Sequence, residues 1–587
     1  MSDTAILDRG GGLGERPWLA HYEPGVPADV EIPDVTFDGL LRRAAERFPD
    51  RVALSFFGAT QTFRALDDAV DRFACHLDTL GVRPGDRVSL HLPTSPAFVI
   101  AFLGALRAGC LAVPMSPLLV ERELVTLLRE TTPRLSVTLD LLVPRVREAR
   151  HRLAEALPRP TTGADILVTG IVDSMKAPLR WLYPLKARRE GRWHPVADSA
   201  ETPNLFRCLT QAPGWRFESA GAASGPAALV PTGGTTGIPK AAILTHRNLV
   251  ANATQVASWF PEEGREPGSV LCALPYFHSY GLTVDLGYAL MTGATQILLP
   301  RFEVDQVLKA IVRHRPRLFP GAPLFYSTLL EDPGLGRHDL SSIEACISGS
   351  APLPPDVQEQ FEAITHGRVS EGYGLTEASP VTHCNPINGT RRTGTIGLPF
   401  PSTDARVVDL DTGRRTLPPG EVGELCVRGP QVFEGYWHRP EETAHVLRDG
   451  WLYTGDLARM DEDGFFAIVD RLKDMIIVSG VNVYPSAIEE VLVAHPAVAE
   501  AVVIGQPDAR RGEAPRAFVV PAPGATIRTE ELLAWCRERL SPLERPASIE
   551  LREEMPRSPL GKILRRELHD PTAVAIAAGA AAEEAEA

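Results

Sequence analysis

A glycine- and threonine-rich loop, PTGGTTGIPK, runs from Pro231 to Lys240. Four polar signatures follow it in order: YGLTE (Tyr373 to Glu377), YTGD (Tyr453 to Asp456), DRLKD (Asp470 to Asp474) and PLGK (Pro559 to Lys562). Gly233, Gly234 and Gly237 admit backbone conformations that bulkier residues resist, so consecutive N–H groups can turn inward around phosphate oxygens. Thr232, Thr235 and Thr236 add hydroxyl donors, and Lys240 adds a point charge. The string is not a Walker A motif, because the lysine follows Ile-Pro and no Ser or Thr comes after it. Taken alone, such a loop is also compatible with a plain surface turn. A phosphate-type loop, a carboxylate able to face a metal, another able to face a ribose and two separated basic residues read together as nucleotide chemistry.

The elements that must position these groups alternate. Residues 37 to 56 read as a helix then a strand, with a helix-like stretch from Phe63 to Leu80. RVSLHLP, the apolar run from Phe98 and CLAVPM continue the alternation. So do SVLCALP, ATQILLP, SIEACISG and RVSEGYG between 225 and 400. The stretch AAILTHRNLVANATQVASW after Lys240 reads as an amphipathic helix that starts several residues beyond the loop. Strands alternating with helices imply largely parallel sheets covered by helices. Short β-like runs (ARVVDL, GELCVRG, FFAIVD) between 403 and 470 suggest a β-rich subdomain, and Met475 to Leu568 read as a compact unit of their own. The fold class is therefore α/β, a large N-terminal domain with a β-rich subdomain and a small α+β C-terminal domain.

Composition narrows the function classes. A chain of 587 residues exceeds one compact core and implies two or more domains. A hydrophobic fraction of 44% and a charged fraction of 23% suit a soluble globular protein. A formal net charge of −14 argues against general nucleic-acid binding, while leaving room for local basic patches. Eight scattered cysteines without a CxxC pair form neither a disulfide framework nor a zinc pattern, so a reducing cytoplasm is the simpler reading. The N-terminus is polar and glycine-rich, unlike a signal peptide, and RGGGLG within it lacks the preceding strand of a dinucleotide site. Phe98 to Met115 is the best transmembrane candidate, but Arg107 interrupts it, and a buried helix and strand are expected.

The five signatures resemble the adenylate-forming superfamily of acyl-CoA synthetases, luciferases and peptide-synthetase adenylation domains. Within it the chain is most similar to bacterial long-chain fatty acid–CoA ligases. That narrower likeness rests on LPYFHSYG (Leu274 to Gly281), LFPGAPLFY (Leu318 to Tyr326), ACISGSAPLP (Ala345 to Pro354), EGYGLTEASPVTH (Glu371 to His383) and GPQVFEGYWHRPEET (Gly429 to Thr443). It spans roughly residues 35 to 570. It implies ATP, Mg²⁺ and CoA as co-substrates, a carboxylic acid as the acyl donor, and four segments: a flexible leader (1–34), an N-terminal domain (35–472), a mobile C-terminal domain (473–570) and a disordered tail (571–587).

The residue roles follow from that resemblance. Thr232, Gly233, Gly234, Thr235, Thr236, Gly237 and Lys240 would cradle phosphates, with Thr376 a further phosphate contact. Lys562 would bridge the substrate carboxylate and the α-phosphate, and Glu377 would hold the metal. Ser348, Gly349, Ser350, Ala351 and Pro352 would line adenine, along with Glu371, Gly372, Tyr373 and Gly374. Asp456 and Arg471 would hold the ribose. Lys473 matches the hinge about which the small domain turns between half-reactions, after which Ser479, Gly480 and Asn482 would line the thiol tunnel. His278 reads either as a guard of the thiol and acyl path or as a packing histidine. An acyl pocket around Tyr280, Gly281, Leu282, Phe319 to Pro323, Ser348, Gly349 and Gly372 would admit an alkyl or an aryl group.

Three departures from the family pattern stand out: Pro231 in place of an aromatic residue, Ala241 in place of glycine, and Ser479 in place of a second glycine. They touch pocket shape and tunnel fit, not the charged groups. Three functions stay open: an acyl-CoA ligase, a ligase that loads an acyl carrier protein, and a non-catalytic nucleotide-binding homologue. Intact Lys240, Glu377, Asp456, Arg471 and Lys562 argue against the last. The segment Met175 to Pro195 interleaves basic residues with Trp181, Leu182, Tyr183 and Trp193. It reads either as a peripheral contact with an anionic membrane face or as a solvated helical excursion.

Overall fold

A computed structural model describes residues 16–189, 193, 195–232, 240–260, 266–508, 510–558 and 561–569. The glycine-rich tip at 233–239, the RGGGLG string and the segment from 570 onward lie outside the described residues. The chain divides into two compact units. One runs to Ala405 and takes in Val427–Leu452 and Asp463–Phe465; the other takes in Arg406–Cys426, Tyr453–Glu462 and the chain from Phe466 on.

The first unit is built on three sheets. Across the largest, the strands are Gly435–Tyr436, Lys240–Thr245, Pro226–Thr232, Leu111–Pro114, Arg87–His91, Leu135–Leu139 and Ile166–Thr169. The last five of these run parallel, so the chain leaves each of them at the same end of the sheet. A second sheet pairs Val52–Phe56, Thr295–Leu298 and Ser269–Cys272 in parallel. The third carries Ala345–Ser348 parallel to Arg368–Gly374, followed by antiparallel Val381–Cys384 and Leu398–Pro399. Single bridges from Leu318 to Val270 and to Ala345 link the second and third sheets. This is the α/β architecture with largely parallel sheets that the alternation of elements implies.

The apolar run after Pro93 becomes the helix Pro96–Arg107, buried along its whole length, and the strand Leu111–Pro114. No helix among the described residues is long and apolar enough to cross a membrane. Arg107, which broke that run in the sequence, is only 1% exposed and faces Asp38, Asp67 and Asp71 at 2.8–3.3 Å. Arg42 reaches two of the same carboxylates. Removing one member of a buried ionic cluster strands the others without water or a partner. Arg107→Ala should therefore lower unfolding stability by about 3–5 kcal/mol in chemical denaturation, whereas substituting the exposed Arg64 should cost under about 1 kcal/mol.

One element differs from the sequence reading. Lys240–Thr245 is a strand, and the helix begins only at His246 and ends at Trp259. The reason is local. Thr245 Oγ1 accepts from the Asn248 N–H at 3.0 Å while Asn248 Oδ1 accepts from the Thr245 N–H at 2.9 Å, a reciprocal cap that fixes the helix start. Upstream of it, AAILT pairs antiparallel with ALVPT in a hairpin that sets Thr232 opposite Lys240.

The second unit holds most of a five-stranded sheet, in which Trp451–Met460 pairs antiparallel with Phe466–Arg471. It also holds an α+β domain. There the long hairpin Val498–Asp508 and Gly512–Pro521 is flanked by Ser548–Leu551 and by the short strands Ile476–Val478 and Val481–Val483. The helices Pro485–Val493 and Thr529–Arg539 pack against it, closing a core of Ile476, Val503, Val519, Leu532 and Cys536.

Candidate active site

In the first unit, the expected nucleotide residues collect where parallel strands end. Ser348 closes its strand in register with Glu371 on the next, and Gly321 bridges to Ser348 from the other side. The segments SGSAP and EGYG therefore start side by side, the crevice at strand C-termini where α/β folds bind ligands. Gly349 must stay small there, since a Cβ would lie 3.1 Å from the Tyr280 ring, whose hydroxyl donates to the Ile347 carbonyl at 2.8 Å. Gly374 is stricter still: a Cβ would sit 2.1 Å from the Pro380 carbonyl oxygen. Ser348 Oγ is buried without a partner, and burial pushes the Glu371 carboxyl up to about 8, against the opposing backbone hydrogen bond at Leu353. Burial thus favours the protonated form of this carboxyl.

Tyr373 lies next to the end of the same strand with its ring 6.0 Å from that of His383. Thr376 and Glu377 occupy the short turn Thr376–Ala378 that follows. Ser279 Oγ lies 3.5 Å from Thr376 Oγ1, which brings the His278 segment to this turn. His278 Nδ1 accepts from the Tyr280 backbone N–H at 3.2 Å.

The sequence reading missed Tyr436. The two-residue strand Gly435–Tyr436 pairs beside Lys240–Thr245, placing Tyr436 opposite Ala242. Its hydroxyl donates to Glu377 Oε1 at 2.7 Å, and its ring lies 5.1 Å from Lys240 Nζ. Burial and the adjacent carboxylate raise the pKa of this hydroxyl, so it stays a donor. One tyrosine thus orients the carboxylate and flanks the lysine. Its motif, FEGYW, was read only as part of a longer likeness.

Tyr436→Phe keeps the ring under Lys240 but removes the hydrogen bond to a charged acceptor. We expect a ten- to hundredfold loss of kcat/KM, in line with about 1.5–3 kcal/mol for such a bond, and a higher Mg²⁺ requirement at unchanged melting temperature. Titrating Mg²⁺ against initial rate checks it, and an unchanged Mg²⁺ requirement would contradict the orienting role.

The second unit holds its own cluster. Asp456 pairs in register with Arg471, with Arg471 Nε 3.3 Å from Asp456 Oδ1. Gly455, at φ +71°, turns the strand just before Asp456, and its N–H donates to Glu424 at 3.0 Å. Lys562 stands on a tight turn in which the Ser558 N–H donates to the Lys562 carbonyl at 2.8 Å and Ser558 Oγ accepts from the Lys562 N–H at 3.2 Å. Arg565 anchors that turn on Glu489 through two bonds of 2.7 and 3.0 Å. Desolvation by the surrounding protein, then the Arg471 cation, push the Lys562 ammonium down to about 8, with Asp456 opposing. Its side chain still reaches solvent, which moderates the desolvation. Desolvation and Arg471 lower Lys473 as well.

The structure thus brings Asp456, Arg471, Lys473 and Lys562 into one field. Gly480, at φ +80°, shares a two-residue hairpin turn with Ser479 at φ +52°. A turn with both central residues left-handed is the conformation glycine favours, so Ser479 adopts a backbone conformation that a second glycine would reach without strain.

Thr232 and Lys240 flank the loop mouth, whereas Gly233, Gly234, Thr235, Thr236 and Gly237 fall outside the described residues. Among the described residues no group of three or more His, Cys, Asp or Glu gathers as a metal cage. A lone oriented carboxylate fits a Mg²⁺ ion that takes its other ligands from phosphate and water, so Glu377 suits that role.

A narrow apolar cleft, too tight to hold a water molecule, lies behind the crevice, lined by Val256, Phe260, Val284, Tyr288, Leu318 and Ile347 among others. Pro320, which the sequence reading includes in an acyl pocket, lines this cleft, whereas the Val256–Phe260 face is not part of that reading. That face belongs to a helix whose apolar positions look like ordinary core.

Comparison with known proteins agrees with this arrangement. The AMP-binding enzyme model matches residues 41–437, and the AMP-binding enzyme C-terminal domain matches 487–562. A long-chain-fatty-acid–CoA ligase of Bacillus subtilis is 44% identical over 564 residues, 94% of this chain and 98% of its own length. One from Yersinia pestis is 38% identical over 95% and 98%. The crystal structure of ATP-bound MatB from Rhodopseudomonas palustris superposes with a TM-score of 0.78 at 29% identity, covering 91% of this chain and 98% of that one. The chain belongs to the AMP-binding enzyme family.

Proposed function

We propose that this chain is an AMP-forming long-chain fatty acid–CoA ligase. The observation that carries the reading is the Lys240–Tyr436–Glu377 arrangement beside the strand ends, in a chain that matches its fatty acid–CoA ligase relatives over nearly their full length.

A carboxylate is a poor acyl donor because its leaving group would be oxide. Attack of one carboxylate oxygen on the α-phosphorus of ATP expels pyrophosphate and leaves an acyl-adenylate, whose leaving group is AMP. Two anions must meet, so the protein neutralises charge and fixes an in-line geometry. Thr232, Lys240, Thr376 and the loop between Thr232 and Lys240 hold the phosphates in this reading. Glu377 holds Mg²⁺, which supplies further charge neutralisation on the phosphate oxygens. Ser348 to Pro352 and Tyr373 line adenine, Asp456 and Arg471 grip the ribose, and Lys562 bridges the carboxylate and the α-phosphate.

In the second half-reaction the CoA thiol attacks the acyl carbon, releasing AMP and a proton. No strong base is needed, because the acyl group is already activated. For this step the small domain turns about Lys473, bringing Gly480 to the thiol, and His278 flanks the path. All eight cysteines are free and buried, which supports a reducing, cytoplasmic setting.

In this reading the lining side chains part to admit the acyl chain into the apolar cleft. Val284→Trp should fill it and shift preference toward shorter acids by at least tenfold in kcat/KM, with ATP–pyrophosphate exchange on a short acid within a few-fold of the parent. Equal losses for all chain lengths would remove the cleft from the acyl path. The reading as a whole is tested by product analysis with ATP·Mg²⁺ and a panel of fatty and aryl acids, with CoA or a holo-acyl carrier protein. Acyl-CoA plus AMP is the expected outcome. Acyl-adenylate that persists with CoA but is consumed by the carrier protein would move the assignment to carrier loading.

A further inference from the structure

A cavity of about 290 Å³ opens at the end of the second sheet that lies away from the crevice. Ser269 and Thr295 stand side by side there, each the first residue of its parallel strand. In the other direction Ser269–Cys272 runs on to the His278 segment. A water molecule takes about 30 Å³ of liquid, so the space suits a small hydrated molecule better than a lone ion.

Four basic side chains line this cavity: Arg51, His314, Arg315 and Arg317. Among the described residues no acidic side chain lines it, on a chain whose net charge is −14. His314 and Arg315 end the helix Val304–His314, and cations suit the negative end of a helix dipole. The dipole does not account for Arg51 or Arg317, which arrive from other elements.

Arg51 is the distinctive member. Its Nε donates to the Gly293 carbonyl at 2.8 Å, and Nη2 donates to the carbonyls of Pro267 and Gly268. Among the described residues no carboxylate pairs with Arg51, and these bonds leave its Nη1 donors over. Arg315 pairs with Asp339 at 2.8 Å, and Glu344 braces Arg317 through Nε at 3.0 Å and Nη2 at 3.1 Å. Gly268 leaves room for that side chain, since a Cβ would lie 2.8 Å from Arg317 Cδ. Two of the arginine charges are thus offset, whereas Arg51, held by neutral carbonyls, keeps its own. A fixed guanidinium with donors to spare matches phosphate oxygens. No Phe, Tyr or Trp lines the cavity, so it offers no such ring for a base to stack on.

We propose that this cavity binds a small, multiply charged phosphate compound without a nucleobase, anchored by Arg51 and flanked by His314, Arg315 and Arg317. The test reads binding rather than turnover, so its failure leaves the reaction proposed above untouched.

Inorganic pyrophosphate is the probe, titrated by calorimetry into the full-length chain. The crevice is first saturated with ATP, with Mg²⁺ and acyl substrate left out. We expect one pyrophosphate per chain, at an affinity that further ATP does not change. Arg51→Met should weaken binding at least about tenfold and Arg315→Gln at least about threefold, the scale of losing a charge-assisted hydrogen bond. Arg152→Gln, on an exposed arginine elsewhere, should bind like the parent. Arg315 is exposed, so its variant should keep the parent's melting temperature and ATP affinity even where Arg51→Met loses stability. The proposal is overturned if pyrophosphate does not bind the ATP-saturated chain, if ATP displaces it, or if Arg315→Gln binds like the parent. Binding of GDP more than tenfold tighter than pyrophosphate would overturn it too, since the ligand would then be a nucleotide.

Discussion

Lys562→Ala is expected to slow acyl-adenylate formation by about 10²–10³-fold, the scale of losing one positioned charge from a site of developing charge. Thioester formation from supplied acyl-adenylate should stay within a few-fold of the parent, because that step begins after the two anions have been joined. The split between half-reactions separates this outcome from unfolding, which would depress both. A pH profile adds a second readout. The Lys562 ammonium sits at about 8, held below its ordinary value by desolvation and then by Arg471. Its positive charge is therefore present below that pH and lost above it. Adenylation should fall as pH rises through about 8, and Lys562→Arg, which stays charged, should extend whatever activity it keeps to higher pH. A flat profile in the parent together with a fall in Lys562→Arg would contradict the role.

Glu377→Gln is expected to have an effect of similar size, about 10²–10³-fold on kcat/KM. It removes a charge from the carboxyl that Tyr436 orients at 2.7 Å while keeping its shape. The loss should shrink as Mg²⁺ is raised, and the ribose contacts at Asp456 should be unaffected, so AMP should bind with its parental affinity when no metal is present. A loss that ignores Mg²⁺ and weakens metal-free AMP binding would place Glu377 on the nucleoside instead. The contrast with Tyr436→Phe is informative, since the phenylalanine variant leaves the carboxylate charged but unaimed and should lose less.

What could be read before any coordinates depended on sequence distance. Thr376 and Glu377 are neighbours in the chain, and Asp456 and Arg471 sit on consecutive strands of one hairpin, so local pattern carried them. Tyr436 lies far downstream of Lys240 and meets it only because a two-residue strand adds to the sheet edge, which no periodicity announces. Arg107 looked like an interruption in an apolar run, because its three carboxylate partners come from two other helices. The helix start at His246 was recoverable in principle. AAILT reads equally as strand or helix, and Thr245 followed by Asn248 three residues later is the capping signal that decides between them. The apolar cleft stayed hidden for a different reason: lining side chains such as Val256 and Val284 are ordinary core residues by type, and only packing shows that they face one another across it.

The most direct measurement follows the carboxylate oxygen. The chain is given a fatty acid labelled with ¹⁸O in its carboxylate, together with ATP, Mg²⁺ and CoA, and the products are weighed by mass spectrometry. Attack of the carboxylate on the α-phosphorus predicts AMP carrying one ¹⁸O atom, formed in step with acyl-CoA. Unlabelled AMP, or label in inorganic phosphate alongside ADP, would contradict activation through an acyl-adenylate.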